Sequence, residues 1–168
     1  MQIELVSQPD AIARWQELVD DPELARWPGK IETDRFGRML VSPPPGLPHG
    51  FNQSKICQLL AVRLPDGQVI TECPLITLDG IKGIDVAWLK GDRTELAEGK
   101  LVLERAPEIC VEVLSPSNSV AEMNEKRALY FAAGAQEVWL CGRDGKMEFY
   151  TPDLSATSRL CPSFPGHL

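Results

Sequence analysis

The segment between Glu108 and Cys141 constrains the fold more than any other part of the sequence. Its first residues, Glu108–Leu114, form an apolar run that predicts a β-strand. Ser119 and Glu122 then match a helix capping box, and Gly134 supplies the stop signal of that helix. A second apolar run, Glu137–Cys141, follows directly. Together with a strand predicted upstream, this order predicts a mixed α/β sheet with helices packed on its faces.

Further helices and strands are predicted on both sides of this segment. A helix is expected from about Gln8 to Asp20, with Ser7 as its N-cap, and another from about His49 to Arg63. The apolar stripe expected on the second helix comprises Phe51, Ile56, Leu59, Leu60 and Val62. Strands are predicted over residues 30–33 and 39–42, which form a hairpin, and over 68–71, 75–78, 84–89 and 146–150. Structure is expected to break at the prolines of residues 43–48, to form a surface loop over 90–100, and to become irregular in the C-terminal tail.

Length and composition indicate an ordinary globular protein. The chain has 168 residues, of which 43% are hydrophobic and 24% charged, so one domain spanning residues 1–168 is expected. The start of the sequence lacks the basic region and apolar stretch of a secretory signal, and the expected location is the cytoplasm. Five scattered cysteines and two histidines argue against a zinc site or a disulfide framework.

The charge of the chain bears on its partners. A net charge of -7 repels polyanions, which argues against tight binding of nucleic acid on a broad basic face. It leaves room for a local basic groove, or for a metal centre that brings positive charge of its own.

Asp85, Glu112 and Lys126 are polar residues within otherwise apolar segments. Burying a carboxylate costs free energy unless it is paired, hydrogen-bonded or bound to a cation. On the predicted strand Glu108–Leu114, alternation places Ile109, Val111 and Val113 on one face and Cys110, Glu112 and Leu114 on the other. On the predicted strand over residues 84–89, it places Ile84, Val86 and Trp88 on one face and Asp85, Ala87 and Leu89 on the other. If the two strands are neighbours, Asp85 and Glu112 can converge near one sheet edge, where the repulsion between two close carboxylates raises a pKa or recruits a divalent cation.

Other interpretations of these residues remain open from the sequence alone. Asp85 could cap a turn after Gly83, and Lys126 could be a solvated helix lysine that pairs with Glu122. His49, at a predicted helix start, could be a capping or surface residue.

The central motifs resemble a known family. The block Val111–Asn118, the helix Glu125–Gly134 with its lysine and tyrosine, and the strand that follows it are similar to the Uma-two family of putative restriction endonucleases. That family belongs to the PD-(D/E)XK nuclease superfamily. The likeness runs from about Glu32 to Tyr150 and implies a restriction-endonuclease-like mixed sheet flanked by helices.

The resemblance also implies a mechanism and its residues. Asp85 and Glu112 would bind Mg²⁺ or Mn²⁺, with the backbone carbonyl of Val113 as a further ligand, and DNA phosphodiester bonds would be hydrolysed. The superfamily lysine usually stands two residues after the glutamate, where this chain has Leu114, so Lys126 on the next helix would supply the ammonium. A second departure is Ile84, which stands where the superfamily has proline. Possible additional site residues are Glu32, His49 and Tyr130.

Two functions of different classes follow from these observations. The first is a metal-dependent DNA endonuclease, which binds its substrate weakly without metal. The second, favoured by the acidic charge, is a nuclease-fold protein without useful catalysis that acts as a dimeric interaction or regulatory module. A homodimer is possible in either case.

Overall fold

The computed structural model describes residues 6–168, which form a mixed α/β fold. The helices are α1 (Gln8–Asp20), α2 (Leu47–Arg63), α3 (Gly91–Ala97) and α4 (Val120–Ala132), with one 3₁₀ turn at Leu24–Arg26. The strands are β1 (Ile31–Thr33), β2 (Met39–Val41), β3 (Gly67–Thr77), β4 (Gly80–Lys90), β5 (Ile109–Val113), β6 (Glu137–Cys141), β7 (Met147–Tyr150) and β8 (Leu154–Ser155). Within the described range, no helix is both long enough and apolar enough to cross a bilayer.

Six strands form the main sheet in the order β3-β4-β5-β6-β7-β8. Strands β5 and β6 are parallel because α4 connects them, and the other neighbours are antiparallel. Strands β1 and β2 form the separate antiparallel hairpin that was predicted. The predicted mixed sheet with flanking helices is therefore confirmed.

Local signals in the sequence account for the two capped helices. Ser7 accepts a hydrogen bond from the amide of Asp10 at the start of α1. Ser119 and Glu122 form both hydrogen bonds of the capping box at the start of α4. Gly134 follows α4 with a φ of 104°, the left-handed conformation that glycine adopts without steric cost. These helix boundaries were predictable because the residues that form each cap are close to each other in the sequence.

Several predicted elements differ from the structure. Residues 68–71 and 75–77 belong to one continuous strand, β3, which ends one residue earlier than predicted, and residues 90–100 contain a short helix, α3. Helix α2 begins two residues earlier than predicted, and its stripe is only partly buried because Phe51 and Val62 are exposed. The C-terminal tail, predicted to be irregular, contains the short strand β8 and contributes Cys161 and Phe164 to the main apolar core.

The register of the sheet sets three acidic residues in one row across β3, β4 and β5. The register of β3 and β4 leaves Glu72 opposite Asp85. Pairing of β4 with β5 stops at Val86 and Val111, and the next position along this register sets Asp85 opposite Glu112. Like charges at opposed positions destabilise a sheet unless cations balance them. We call Glu72, Asp85 and Glu112 the acidic row.

The alternation of side chains along β4 changes at the acidic row. Glu72 on the neighbouring strand has a φ of 50°, which is uncommon for a residue other than glycine. Ile84 packs in the same apolar cluster as Ala87, whereas Val86 and Trp88 pack in the other cluster. The predicted grouping of Ile84 with Val86 and Trp88 is therefore wrong, because strict alternation does not hold across this irregularity.

Glu108, just before β5, carries a pH-dependent part of the stability. It is buried and accepts hydrogen bonds from the Lys90 amide at 2.9 Å and from the Arg93 guanidinium at 2.7 Å. Burial alone would raise the pKa of the Glu108 carboxyl, but these donors lower it below its ordinary value. A carboxyl whose pKa is lower in the folded state stabilises the fold above the pKa of the unfolded chain. That contribution is lost as the pH falls through the folded-state pKa.

We therefore expect Glu108→Gln to lower the free energy of unfolding by about 1.5–3 kcal/mol near pH 7. The difference from wild type should shrink as the pH falls from about 5 toward 3, because protonation then removes the same charge from Glu108. Urea unfolding at a series of pH values measures both quantities. Glu98→Gln, at an exposed position, is the matched control. A difference that does not change with pH would contradict this account.

Candidate active site

Asp85 lies at the point where β4 and β5 separate. Its Oδ2 accepts a hydrogen bond from the amide of Val113 at 2.8 Å and lies 3.4 Å from His49 Nε2, while its Oδ1 contacts the Lys30 ammonium. The side chain is only 4% exposed. Burial alone would raise the pKa of this carboxyl, but His49 and Lys30 hold it well below its ordinary range. Asp85 is therefore a charged acceptor and not a turn cap.

Glu112 on β5 is buried, with a different set of partners. Tyr130 donates its hydroxyl to Glu112 Oε1 at 2.5 Å, and Lys126 Nζ lies 3.5 Å from Oε2. Burial raises the pKa of the Glu112 carboxyl to about 7; Lys126 opposes this shift and the negative charge of Asp85 adds to it. The two carboxylates of adjacent strands therefore differ in their affinity for a proton.

Lys126 projects from α4 toward the sheet. Its Nζ lies 2.8 Å from Glu32 Oε1, and the residue is only 7% exposed. Glu122, the alternative partner considered from the sequence, instead bonds to Asn118 and to the Ser119 amide. The alternative interpretation of Lys126 as a solvated lysine that pairs with Glu122 is therefore wrong. Burial alone would lower the pKa of the Lys126 ammonium, but its carboxylate neighbours raise it.

The three additional candidates also lie at this place. Glu32 on β1 is buried and accepts a hydrogen bond from the Gly83 amide at 2.9 Å, besides its contact with Lys126. The side chain of His49 is only 11% exposed, so it is not a surface residue. Its Nδ1 is buried and has no hydrogen-bond partner among the described residues. Tyr130 is fully buried in the apolar cluster that contains Ala87, and its hydroxyl donates a hydrogen bond to Glu112.

Three residues of the site were not recognised from the sequence. Lys30 contacts Asp85, Glu72 forms an ion pair with Lys30 at 3.7 Å, and Gln53 donates to Glu72 Oε1 and to the Asp85 carbonyl, both at 2.9 Å. The sequence contains a spacing signal for two of these residues, Lys30 and Gln53. Lys30 stands two residues before Glu32, and Gln53 one helical turn after His49. Glu72 had none, because its place depends on the strand register.

Six of the side chains described above line one cleft with a volume of about 720 Å³. Its wall includes Lys30, His49, Glu72, Asp85, Glu112 and Lys126. Its rim includes the prolines of residues 43–45, the loop of residues 115–118 and Arg143. The cleft is large enough for a small-molecule or nucleotide group, in the range of ordinary ligand pockets.

A comparison with family models identifies the family of this chain. Residues 21–166 match the model of the Uma2 family, described as "Putative restriction endonuclease". The chain belongs to the Uma2 family. The match includes every site residue named above, and it confirms the resemblance to the Uma-two family drawn from the motifs.

A solved structure has a similar fold. It is the 1.96 Å crystal structure of a putative nuclease of the DUF820 group from Anabaena variabilis, with 18% sequence identity and a TM-score of 0.66. The alignment covers 90% of this chain and 80% of that one. At this identity the likeness shows the fold of this Uma2 chain alone. A search of curated proteins found no match.

The site of this Uma2 chain fits a hard divalent cation in its donor chemistry. Asp85, Glu112 and the residue Val113 line the same cleft, and carboxylate and carbonyl oxygens are the ligands that Mg²⁺ prefers. Within residues 6–168, no group of three or more His, Cys, Asp or Glu side chains is placed to hold a metal. Two carboxylates are nevertheless enough for Mg²⁺, which usually keeps several waters and takes further ligands from substrate phosphates.

Proposed function

We propose that this protein is a metal-dependent endonuclease that hydrolyses phosphodiester bonds of DNA. The observation that carries the proposal is the acidic row, in which Asp85 and Glu112 line one cleft and Glu112 lies 3.5 Å from the buried ammonium of Lys126. Paired carboxylates beside a lysine are the components of metal-assisted phosphodiester hydrolysis. Membership of the Uma2 family, described as "Putative restriction endonuclease", supports the same reaction.

Each residue has a role that follows from its contacts. Asp85, Glu112 and the Val113 carbonyl would hold Mg²⁺ or Mn²⁺, which when bound polarises the phosphate and acidifies a water. Lys126 orients the attacking water or stabilises the negative charge that develops on the phosphate. Glu32 fixes the position of the Lys126 ammonium through their 2.8 Å contact.

Two further residues hold the carboxylates in place. The hydroxyl of Tyr130 donates to Glu112 Oε1, which limits rotation of that carboxylate. His49 contacts Asp85 Oδ2 through its Nε2, and its buried Nδ1 has no hydrogen-bond partner among the described residues. Both residues are positioning groups in this proposal.

Surface charge gives little affinity for DNA in the absence of metal. The net charge is -7. Lys126 is buried in ion pairs, and Arg127 stacks on the ring of Tyr150 at 3.9 Å. Lys55 and Arg63 are exposed, and Arg143 lines the cleft. A small number of cations predicts weak binding that weakens further with salt.

The decisive test is a cleavage assay on single- and double-stranded DNA with Mg²⁺ or Mn²⁺. We expect cleavage with either ion, and none after chelation by EDTA. The variant Asp85→Asn/Glu112→Gln, purified in parallel, should show no cleavage, which separates this activity from a contaminating nuclease. Asp153→Asn/Glu98→Gln, at exposed positions, is the matched control and should cleave like wild type.

The interaction module is a second candidate because the hairpin exposes apolar residues. Met39, Leu40 and Val41, the whole of β2, are each at least 40% exposed, and within the described residues β2 pairs with β1 alone. A strand with a free edge and apolar side chains is a site for pairing with another chain. Absence of metal-dependent cleavage, together with a dimer in sedimentation equilibrium, would favour this second function over the nuclease.

A further inference from the structure

A second lysine, Lys30, reaches the acidic row from the start of the hairpin. Its Nζ donates to the Gly83 carbonyl at 2.9 Å, contacts Asp85 Oδ1 and lies 3.7 Å from Glu72 Oε2. The ammonium therefore has three oxygens around it, and its side chain lines the cleft with 20% exposure. Lys30 thus occupies a position that a cation of another kind could also take.

The two oxygens of Asp85 are used differently. Oδ2 accepts from the Val113 amide and is the oxygen nearest His49, so it belongs to the framework of the sheet. Oδ1 has the Lys30 ammonium as its partner. The oxygen of Asp85 that is free of backbone bonds is therefore the one that Lys30 covers.

We propose that Lys30 is a built-in counter-ion of Asp85, which a divalent cation must displace in order to bind Oδ1. This inference rests on the proposed function, since it takes Asp85 as a metal ligand. The ammonium balances the acidic row when no metal is bound, and a doubly charged ion balances it better. Once displaced, the flexible Lys30 side chain can remain bonded to Glu72, which is 55% exposed at the wall of the cleft.

The proposal predicts that removing the ammonium improves metal binding. Titration calorimetry with Mn²⁺ should show that Lys30→Met binds about tenfold more tightly than wild type, because no counter-ion competes for Oδ1. Lys100→Met removes an exposed lysine that pairs with Glu104 outside the cleft and should bind like wild type. Asp85→Asn should lose this binding. Unchanged or weaker Mn²⁺ binding by Lys30→Met would overturn the proposal. Weaker binding would mean that Lys30 holds Asp85 in position for the metal.

A measurement on the wild-type chain tests the same step without a variant. Acetylation of lysines by an N-hydroxysuccinimide ester, followed by mass spectrometry, reports how free each ammonium is. Saturating Mg²⁺ should raise the acetylation rate of Lys30 about fivefold or more, since displacement exposes the amine. Lys82, buried and bound to Asp79 and to the Thr33 carbonyl, should not change.

The outcomes separate this inference from the proposed function. A wild-type chain that binds metal through Asp85 while the acetylation of Lys30 stays constant removes the displacement step alone. A chain that binds no metal through Asp85 removes both. Cleavage of DNA by wild type and faster acetylation of Lys30 with metal would support both together.

Discussion

Replacing Lys126 with methionine should lower the single-turnover rate of DNA cleavage by about 10²–10³-fold. Methionine has a similar length but no charge, so the water or developing phosphate charge near Lys126 loses its ammonium. Mn²⁺ binding should persist, because Asp85 and Glu112 remain. Cleavage by Lys126→Met at the wild-type rate would show that Lys126 is a structural residue and that the mechanism proposed above is wrong.

The same experiment can be made sharper by moving the lysine. Leu114 lines the same cleft and stands where the superfamily usually has its lysine. Adding Leu114→Lys to Lys126→Met should therefore recover part of the activity. Recovery should be incomplete, because a lysine near apolar neighbours loses hydration of its charge. Leu114→Met in the same background is the matched control and should recover nothing.

The stability of Lys126→Met must be measured alongside its activity. The substitution leaves Glu32 and Glu112 buried without their ammonium, which typically costs about 3–5 kcal/mol. The double variant Glu32→Gln/Lys126→Met removes one of those charges and should be more stable than Lys126→Met in urea. If the double variant is folded and still cleaves poorly, the loss of activity belongs to the ammonium and not to unfolding.

Replacing Glu137 with alanine should lower the free energy of unfolding by about 3–5 kcal/mol. Glu137 is 1% exposed; its Oε1 accepts from the amides of Arg159 and Leu160 at 2.7 and 2.8 Å, and its Oε2 from the Trp139 indole at 2.7 Å. Alanine leaves these three N–H donors without their acceptor and releases the tail from β6.

Glu137→Gln provides an intermediate case for this prediction. Its amide oxygen can still accept from the two tail amides, but its amino group would face the N–H of Trp139, so roughly half of the loss is expected. Urea unfolding measures both variants, and hydrogen exchange at Arg159 and Leu160 should accelerate most in the alanine variant. Glu125→Ala, at an exposed helix position, should change stability by less than about 0.5 kcal/mol. A loss below about 1 kcal/mol in Glu137→Ala would contradict the role given to this residue.

The parts of the fold predicted correctly are those with local signals. The capping box of α4 and the run Glu137–Cys141 are each a short continuous segment of the sequence. The structure has both where they were expected. Helix α3 was missed because its charged sequence resembles a loop and its N-cap residue, Lys90, makes no side-chain capping bond. The sheet face predicted for the Ile84 side chain was wrong, because the backbone irregularity at Glu72 depends on pairing between strands.

The residues of the candidate site likewise fall into those with a local signal in the sequence and those whose place depends on contacts between distant segments. Asp85, Glu112 and Lys126 could be selected because a charged residue in an apolar segment needs a physical reason. Lys30 could not be assigned to Asp85, because the two residues are 55 positions apart and meet through the docking of the hairpin on β4. Glu72 lies in the row only by virtue of strand register, which no short motif contains.

The bond between Asp85 and the Val113 amide affects how inactive variants should be interpreted. At the fork where β4 and β5 part, this side chain takes an amide that a strand partner would otherwise satisfy. Alanine at position 85 would remove the acceptor and open the fork, so its loss of activity would mix chemistry with a change of shape. Asparagine retains a carbonyl oxygen for Val113 while losing the charge. Asp85→Asn is therefore the inactive reference of choice, and an alanine scan of this cleft would overstate the catalytic share of Asp85.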